Sequence, residues 1–144
     1  MFKNLIKQNQ LAFIILTILF LIDRFSKFFI LKLVEQGEKL DIYITSYLNL
    51  YLIWNKGIAF GLLSFNENMI YNIITVLILI IIFTILIMII KSKGFVKYSL
   101  VIVLAGALGN VFDRIYYSAV PDFIDFHINE FHWFIFNIAD IFIT

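Results

Sequence analysis

From Met69 to Ile90 the chain runs without a charged side chain, about the 20 residues a helix needs to cross the hydrocarbon core of a bilayer. That run commits the chain to a membrane before any other residue is considered. Three further apolar stretches keep it company. One goes from about Leu11 into Leu33 with Asp23, Arg24 and Lys27 in its second half; another covers roughly Tyr98 to Phe112; the last starts near Phe131 and is still apolar at Thr144. At 62% hydrophobic and 15% charged residues, a soluble domain would lack polar surface. The expectation is one all-α membrane domain, residues 1–144, with four transmembrane helices at about 11–33, 69–90, 98–112 and 131–144. A last span of about 14 residues rises only ~21 Å against a core of ~30 Å, so a C-terminal tail beyond Thr144 is expected.

Lysines set the orientation. Lys3 and Lys7 precede the first span, and Lys91, Lys93 and Lys97 lie in or beside the link between the second and third, with no acid in either segment. Glu35, Glu38, Asp41, Glu67 and Glu130 all fall in the other two connections. The positive-inside rule puts the N-terminus in the cytoplasm and the acidic connections outside. Asp23-Arg24 after the first apolar run, and the lack of a small-x-small cleavage site, argue for an uncleaved span over a signal peptide. In the long outer connection, Tyr47 to Leu52 alternates large apolar with polar or amphipathic residues, a period of two that reads as strand. A small extracytoplasmic β element at about 40–66, between helices 1 and 2, is expected at the membrane surface.

Ionisable residues in spanning sequence cost roughly 3 kcal/mol each on insertion scales, and persist where something pairs with them or uses them. Asp122 and Asp140 are the candidates for chemistry, with Asn137 one helical turn before Asp140 and Asp125 as the looser, interfacial acid. Two carboxylates within hydrogen-bonding reach cannot both ionise, so one keeps a proton while the other activates water. The same residue types also suit a proton or cation relay in a small transporter, or helix-to-helix glue. Asp23 and Lys27 stand four apart, acid first, either as a snorkelling ion pair or as support for a polar site. Ala105 and Gly109 have the small-residue spacing that lets helices approach. Asn110, Asp113 and Arg114 share a face after them, tying the helix end to headgroups or serving the site.

Other chemistries find little purchase. The chain has no cysteine, which removes thiol catalysis, and no basic cluster tracks a nucleic acid. His127 and His132 are five apart, not the four of a helical zinc pair, so they read as interfacial histidines and no metal or other cofactor is expected. Trp54 and Trp133 read as interface anchors.

Five blocks occur in order: Asp23-Arg24-Phe25-Ser26-Lys27, Asn55-Lys56-Gly57-Ile58-Ala59-Phe60-Gly61, Gly106 to Arg114, Asp122-Phe123-Ile124, and Phe136-Asn137-Ile138-Ala139-Asp140. With them the chain resembles bacterial lipoprotein signal peptidase, also called signal peptidase II, over nearly its whole length. The resemblance implies an aspartic endopeptidase of the bacterial inner membrane, probing the outer face for diacylglyceryl-modified prolipoproteins and cleaving before the lipidated cysteine. It implies a protein that works as a monomer among membrane lipids. It assigns the catalytic pair to Asp122 and Asp140, and site support or substrate binding to Asp23, Lys27, Asn55, Gly57, Asn110, Asp113, Arg114 and Asn137. Asn55 to Gly61 resembles part of a β-cradle that holds substrate. Pro121 departs from the family pattern, which usually has an aliphatic residue there.

Overall fold

The computed structural model describes residues 2–35, 41–57 and 68–144. Helix α1 (Phe2–Glu35) leads into strands β1 (Asp41–Thr45) and β2 (Leu48–Asn55), then helices α2 (Asn68–Lys91) and α3 (Gly94–Tyr117). Strands β3 (Val120–Ile128) and β4 (Phe131–Phe136) follow, and helix α4 (Ile138–Ile143) comes last. Tyr71–Lys91 and Gly94–Tyr117 are long and apolar enough to cross a membrane. Ile73, Val76, Leu77, Ile80, Ile81 and Phe83 on α2 are all exposed, a surface that only lipid or another apolar partner would keep from water.

α3 is the hub, packing against α1, α2 and α4. Ile82, Leu104 and Val111 form a buried cluster with Leu16 and Ile78 against it, which joins α1, α2 and α3. Two glycines of α3 let its neighbours come close. A Cβ on Gly109 would lie 2.5 Å from Asp23 Oδ2 on α1, and one on Gly106 would collide with the Ala139 carbonyl of α4. The small-residue pattern thus serves two contacts, one with each flanking helix.

The strands form one antiparallel sheet in the order β1-β2-β3-β4. Phe123 of β3 packs on Ile30 of α1, with Leu50, Leu52 and Ile138 around them, which seats the sheet on the helices. Strand β2 covers most of the alternating segment expected to be extended. Residues 58–66 of the expected β element, and with them Ile58 to Gly61 of the second block, lie outside the described residues.

Two expectations need correction. The sheet is not confined to the connection between the first two helices, because half its strands come from the segment between α3 and α4. And no helix begins at Phe131. Phe131–Phe136 is strand β4, and the helix starts only at Ile138. A continuous apolar run does not tell strand from helix by itself. Here four aromatic residues and an isoleucine favour the pleated surface, and Asn129 at φ 53° turns the chain back so that His132 pairs with His127. Asn137 then opens α4 through a reciprocal capping box: its side chain accepts from the Asp140 N–H, and the Asp140 carboxylate accepts from the Asn137 N–H. Pro121 sits in β3 ahead of the stretch that β4 pairs, at a position with a strand on one side only, where proline is tolerated.

Candidate active site

Asp122 and Asp140 come from different kinds of element, one from strand β3 and one from the first turn of α4. Asn137 joins them. Its side-chain amide donates to Asp122 Oδ1 at 2.6 Å, and its carbonyl oxygen accepts from the Asp140 N–H at 3.3 Å. The two acids are 3% and 8% exposed, so their remaining lone pairs need protein partners. Asn55 Nδ2 donates to Asp122 Oδ2 at 2.8 Å, Asn110 Nδ2 to Asp140 Oδ1 at 2.8 Å, and the Asn137 backbone N–H to Asp140 Oδ2 at 3.1 Å.

Each asparagine is oriented by a group that can only donate. The Asn55 carbonyl accepts from the Gly57 N–H, that of Asn110 from Lys27 Nζ, and that of Asn137 from the Asp140 N–H. With the oxygen so occupied, the NH2 of all three must face a carboxylate. Three amides therefore present donors to the acid pair.

Behind them lies a second, charged layer. Lys27, 1% exposed, donates to Asp23 Oδ2 at 3.1 Å and to Asp113 Oδ2 at 2.6 Å as well as to Asn110. It is fully enclosed rather than snorkelling. Arg24 bridges the same two acids, at 2.7 Å to Asp23 and 2.5 Å to Asp113, and its guanidinium lies 4.8 Å from the Phe112 ring centroid. Asp23 Oδ1 accepts from the Ala139 N–H at 3.1 Å, a helix-start donor of α4. Arg114 donates to the Gly57 carbonyl at 2.8 Å and thereby holds the residues just past β2. The cluster holds four acids, Asp23, Asp113, Asp122 and Asp140, and three cations: Arg24 and Lys27, paired with Asp23 and Asp113, and Arg114, bonded to the Gly57 carbonyl. If all were ionised, this group would carry one negative charge in excess; a single proton on the acid pair removes it.

Burial pushes the Asp122 carboxyl up to about 6, and the nearby Asp140 charge pushes the same way. Hydrogen bonds from Asn137 and Asn55, and the Lys27 charge, pull it back. Beside Asp140 opens an apolar pocket of about 600 Å³ lined by Phe126, Trp133, Phe134, Phe136 and Ile141. An acid pair with one member at the wall of an apolar cavity can hold a water between a base and a proton donor while an apolar chain lies alongside.

A family model described as Signal peptidase (SPase) II matches residues 15–144. The chain belongs to the signal peptidase II family. A lipoprotein signal peptidase of Pelagibacter ubique (strain HTCC1062) is 52% identical over 139 residues, which cover 96% of this chain and 84% of the relative. One of Anaplasma phagocytophilum (strain HZ) is 39% identical over 142 residues, covering 96% and 87%. A solved bacterial membrane enzyme superposes with a TM-score of 0.73 at 28% identity, covering 93% of this chain and 85% of the other.

Within this signal peptidase II chain, the structure brings all ten residues expected at the site into one connected cluster. Asp125 does not join them. Expected to be a loose interfacial acid, it is 5% exposed and bonded to His132 at 3.0 Å. Arg24, which its place beside Asp23 leaves open as either an ion-pair partner or a support of the site, joins the cluster through Asp23 and Asp113. Tyr71, whose hydroxyl donates to the Arg114 carbonyl at 3.2 Å, carried no signal beyond being a tyrosine near a helix end.

Proposed function

We propose that this protein is an aspartic endopeptidase of the membrane that removes the signal peptide from diacylglyceryl-modified prolipoproteins, with Asp122 and Asp140 as its catalytic pair. The observation that carries the reading is Asn137, whose side-chain amide donates to the Asp122 carboxylate and whose backbone N–H donates to the Asp140 carboxylate. Family membership supplies the substrate class; the acid pair supplies the chemistry.

The two acids share one proton and hold a water between them. The ionised carboxylate takes a proton from the water as its oxygen attacks the scissile carbonyl carbon, and the protonated carboxyl donates to the carbonyl oxygen. The tetrahedral intermediate collapses when the amide nitrogen is protonated and the peptide bond breaks. Asn55, Asn110 and Asn137 keep the carboxylates in place, so little reorganisation is needed as charge moves. Lys27, Asp23 and Asp113 position Asn110 and the start of α4.

The membrane setting completes the proposal. With α1, α2 and α3 as spans and a cytoplasmic N-terminus, the sheet, the acid pair and the start of α4 lie at the outer face of a bacterial inner membrane, where a single copy meets its substrate. Acyl chains on the substrate cysteine stay in lipid or in the apolar pocket beside Asp140, and this anchoring orients the peptide bond. Purified protein incubated with a diacylglyceryl-modified prolipoprotein, with the product weighed by mass spectrometry, tests the reading. Asp122→Asn and Asp140→Asn should each lower cleavage by about a thousandfold or more, within the range that acid–base groups contribute. Wild-type rates in either variant would end the proposal.

A further inference from the structure

On the β3-β4 hairpin the two histidines of the chain meet. His127 and His132 are direct partners across the strands, and their rings stack at 5.0 Å with planes 26° apart. Their Nδ1 atoms both approach Asp125: His132 Nδ1 lies 3.0 Å from Asp125 Oδ2 and His127 Nδ1 lies 3.7 Å from the same oxygen. Ligand atoms from all three residues fall within 4.8 Å of one another. His127 Nδ1 is buried and has no hydrogen-bond partner among the described residues. An orphaned buried ring nitrogen is costly, and 3.7 Å is too long for a hydrogen bond. It is the right order for two ligands of one ion, since bonds of about 2.0–2.1 Å in a tetrahedron keep ligand atoms about 3.3 Å apart.

We infer that Asp125, His127 and His132 form a binding site for a divalent transition-metal ion, with zinc as the natural occupant. Imidazole nitrogen with one carboxylate selects zinc, nickel or copper over magnesium and calcium, which prefer all-oxygen sites. The ion takes three protein ligands and keeps a position for water. This site is separate from the acid pair. Between Asp125 and His127 the extra residue of the register shift lies on β4, and between Asp122 and Ile124 it lies on β2. Strand β3 therefore alternates unbroken, and Asp125 and His127 project from the face opposite Asp122. An ion there clamps β4 to β3 just ahead of Asn137, the residue that bridges the two acids.

The test uses the full chain in detergent, purified without a histidine tag, titrated with zinc chloride by calorimetry and with cobalt chloride by visible absorption. One equivalent of zinc should bind, and cobalt should give the intense bands of a low-coordinate site. His132→Gln, at a side chain 56% exposed, and Asp125→Asn should each weaken zinc at least about tenfold, since even groups that only support metal ligands are worth 10–100-fold. At equal zinc concentration the metal should raise the thermal midpoint of the wild type more than that of His132→Gln, while circular dichroism without metal checks that each variant is folded. With no cysteine and no other histidine in the chain, residual binding can come only from oxygen ligands. Absence of saturable zinc binding in the wild type, or an affinity unchanged in the His127→Ala/His132→Ala double variant, overturns the site and leaves a proton as the link between His132 and Asp125.

Discussion

Replacing Asn55 by leucine removes a hydrogen bond from the acid pair, together with the acceptor of the Gly57 N–H. Asn55 donates to Asp122 Oδ2 at 2.8 Å from a position 6% exposed, and that hydrogen bond favours the ionised carboxylate. A hydrogen bond to a charged group contributes about 1.5–3 kcal/mol, and one pKa unit corresponds to about 1.4 kcal/mol, so the shift is about one to two units upward. The consequence falls on one limb of the pH profile. A pair that works with one proton loses activity on the alkaline side as that proton leaves, and the pair, rather than either residue, sets the midpoint. Asp122 stands at about 6 in the intact site. Because its charged form is the one destabilised by the substitution, the proton is held to higher pH and the alkaline limb moves up. The assay is kcat/KM for prolipoprotein cleavage against pH, which reports the free enzyme. An alkaline limb that stays put, or moves to lower pH, would refute the role given to Asn55 and the shared proton with it.

The charged layer behind the pair gives two more outcomes. Lys27→Met leaves two buried carboxylates, Asp23 and Asp113, to share the Arg24 guanidinium, and breaking a buried ion pair costs up to about 3–5 kcal/mol; thermal melting in detergent should fall, and adding Asp23→Asn should recover part of the loss. Gly109→Ala places a methyl 2.5 Å from Asp23 Oδ2, an overpacking that costs about 1–3 kcal/mol; it should lower the melting midpoint, and an unchanged midpoint would mean that α1 and α3 have room to part.

What the sequence disclosed follows from the range of each interaction. The run from Met69 to Ile90 reads as a helix because its length and its lack of charge are local properties, and α2 matches it within a residue at each end. The site residues were legible for a related reason: an acid or amide in apolar surroundings stands out wherever it sits. Their grouping was not. That Asn110 turns its amide to Asp140 depends on Lys27, 83 positions earlier in the chain, and no spacing rule encodes that separation. The segment after Asn129 failed for the opposite reason. Phe131 to Phe136 is apolar but for His132, so its period is hidden, while the two local cues that decide it, Asn129 in a left-handed turn and Asn137 as a helix cap, are single residues. His127 and His132 were judged at helical spacing, and only strand pairing puts them face to face.

The division of the acid pair between a strand and a helix has a mechanical consequence. Asp122 is fixed by the sheet and Asp140 by the α3-α4 contact, so any motion of the sheet relative to the helices changes the distance between the acids. Among the links that resist that motion are Asn137, continuous with both β4 and α4; Arg114, which reaches from α3 to the Gly57 carbonyl; and Phe123 against Ile30. Asn137 is the shortest of these, because it reaches both carboxylates from one residue, Asp122 through its side chain and Asp140 through its backbone N–H. It also caps α4, so the group that sets the spacing of the carboxylates is the one that starts the helix carrying the second of them. Formation of α4 therefore completes the site: a chain in which α4 has not formed keeps Asp122 in its sheet beside Asn55 but has no second carboxylate placed against it.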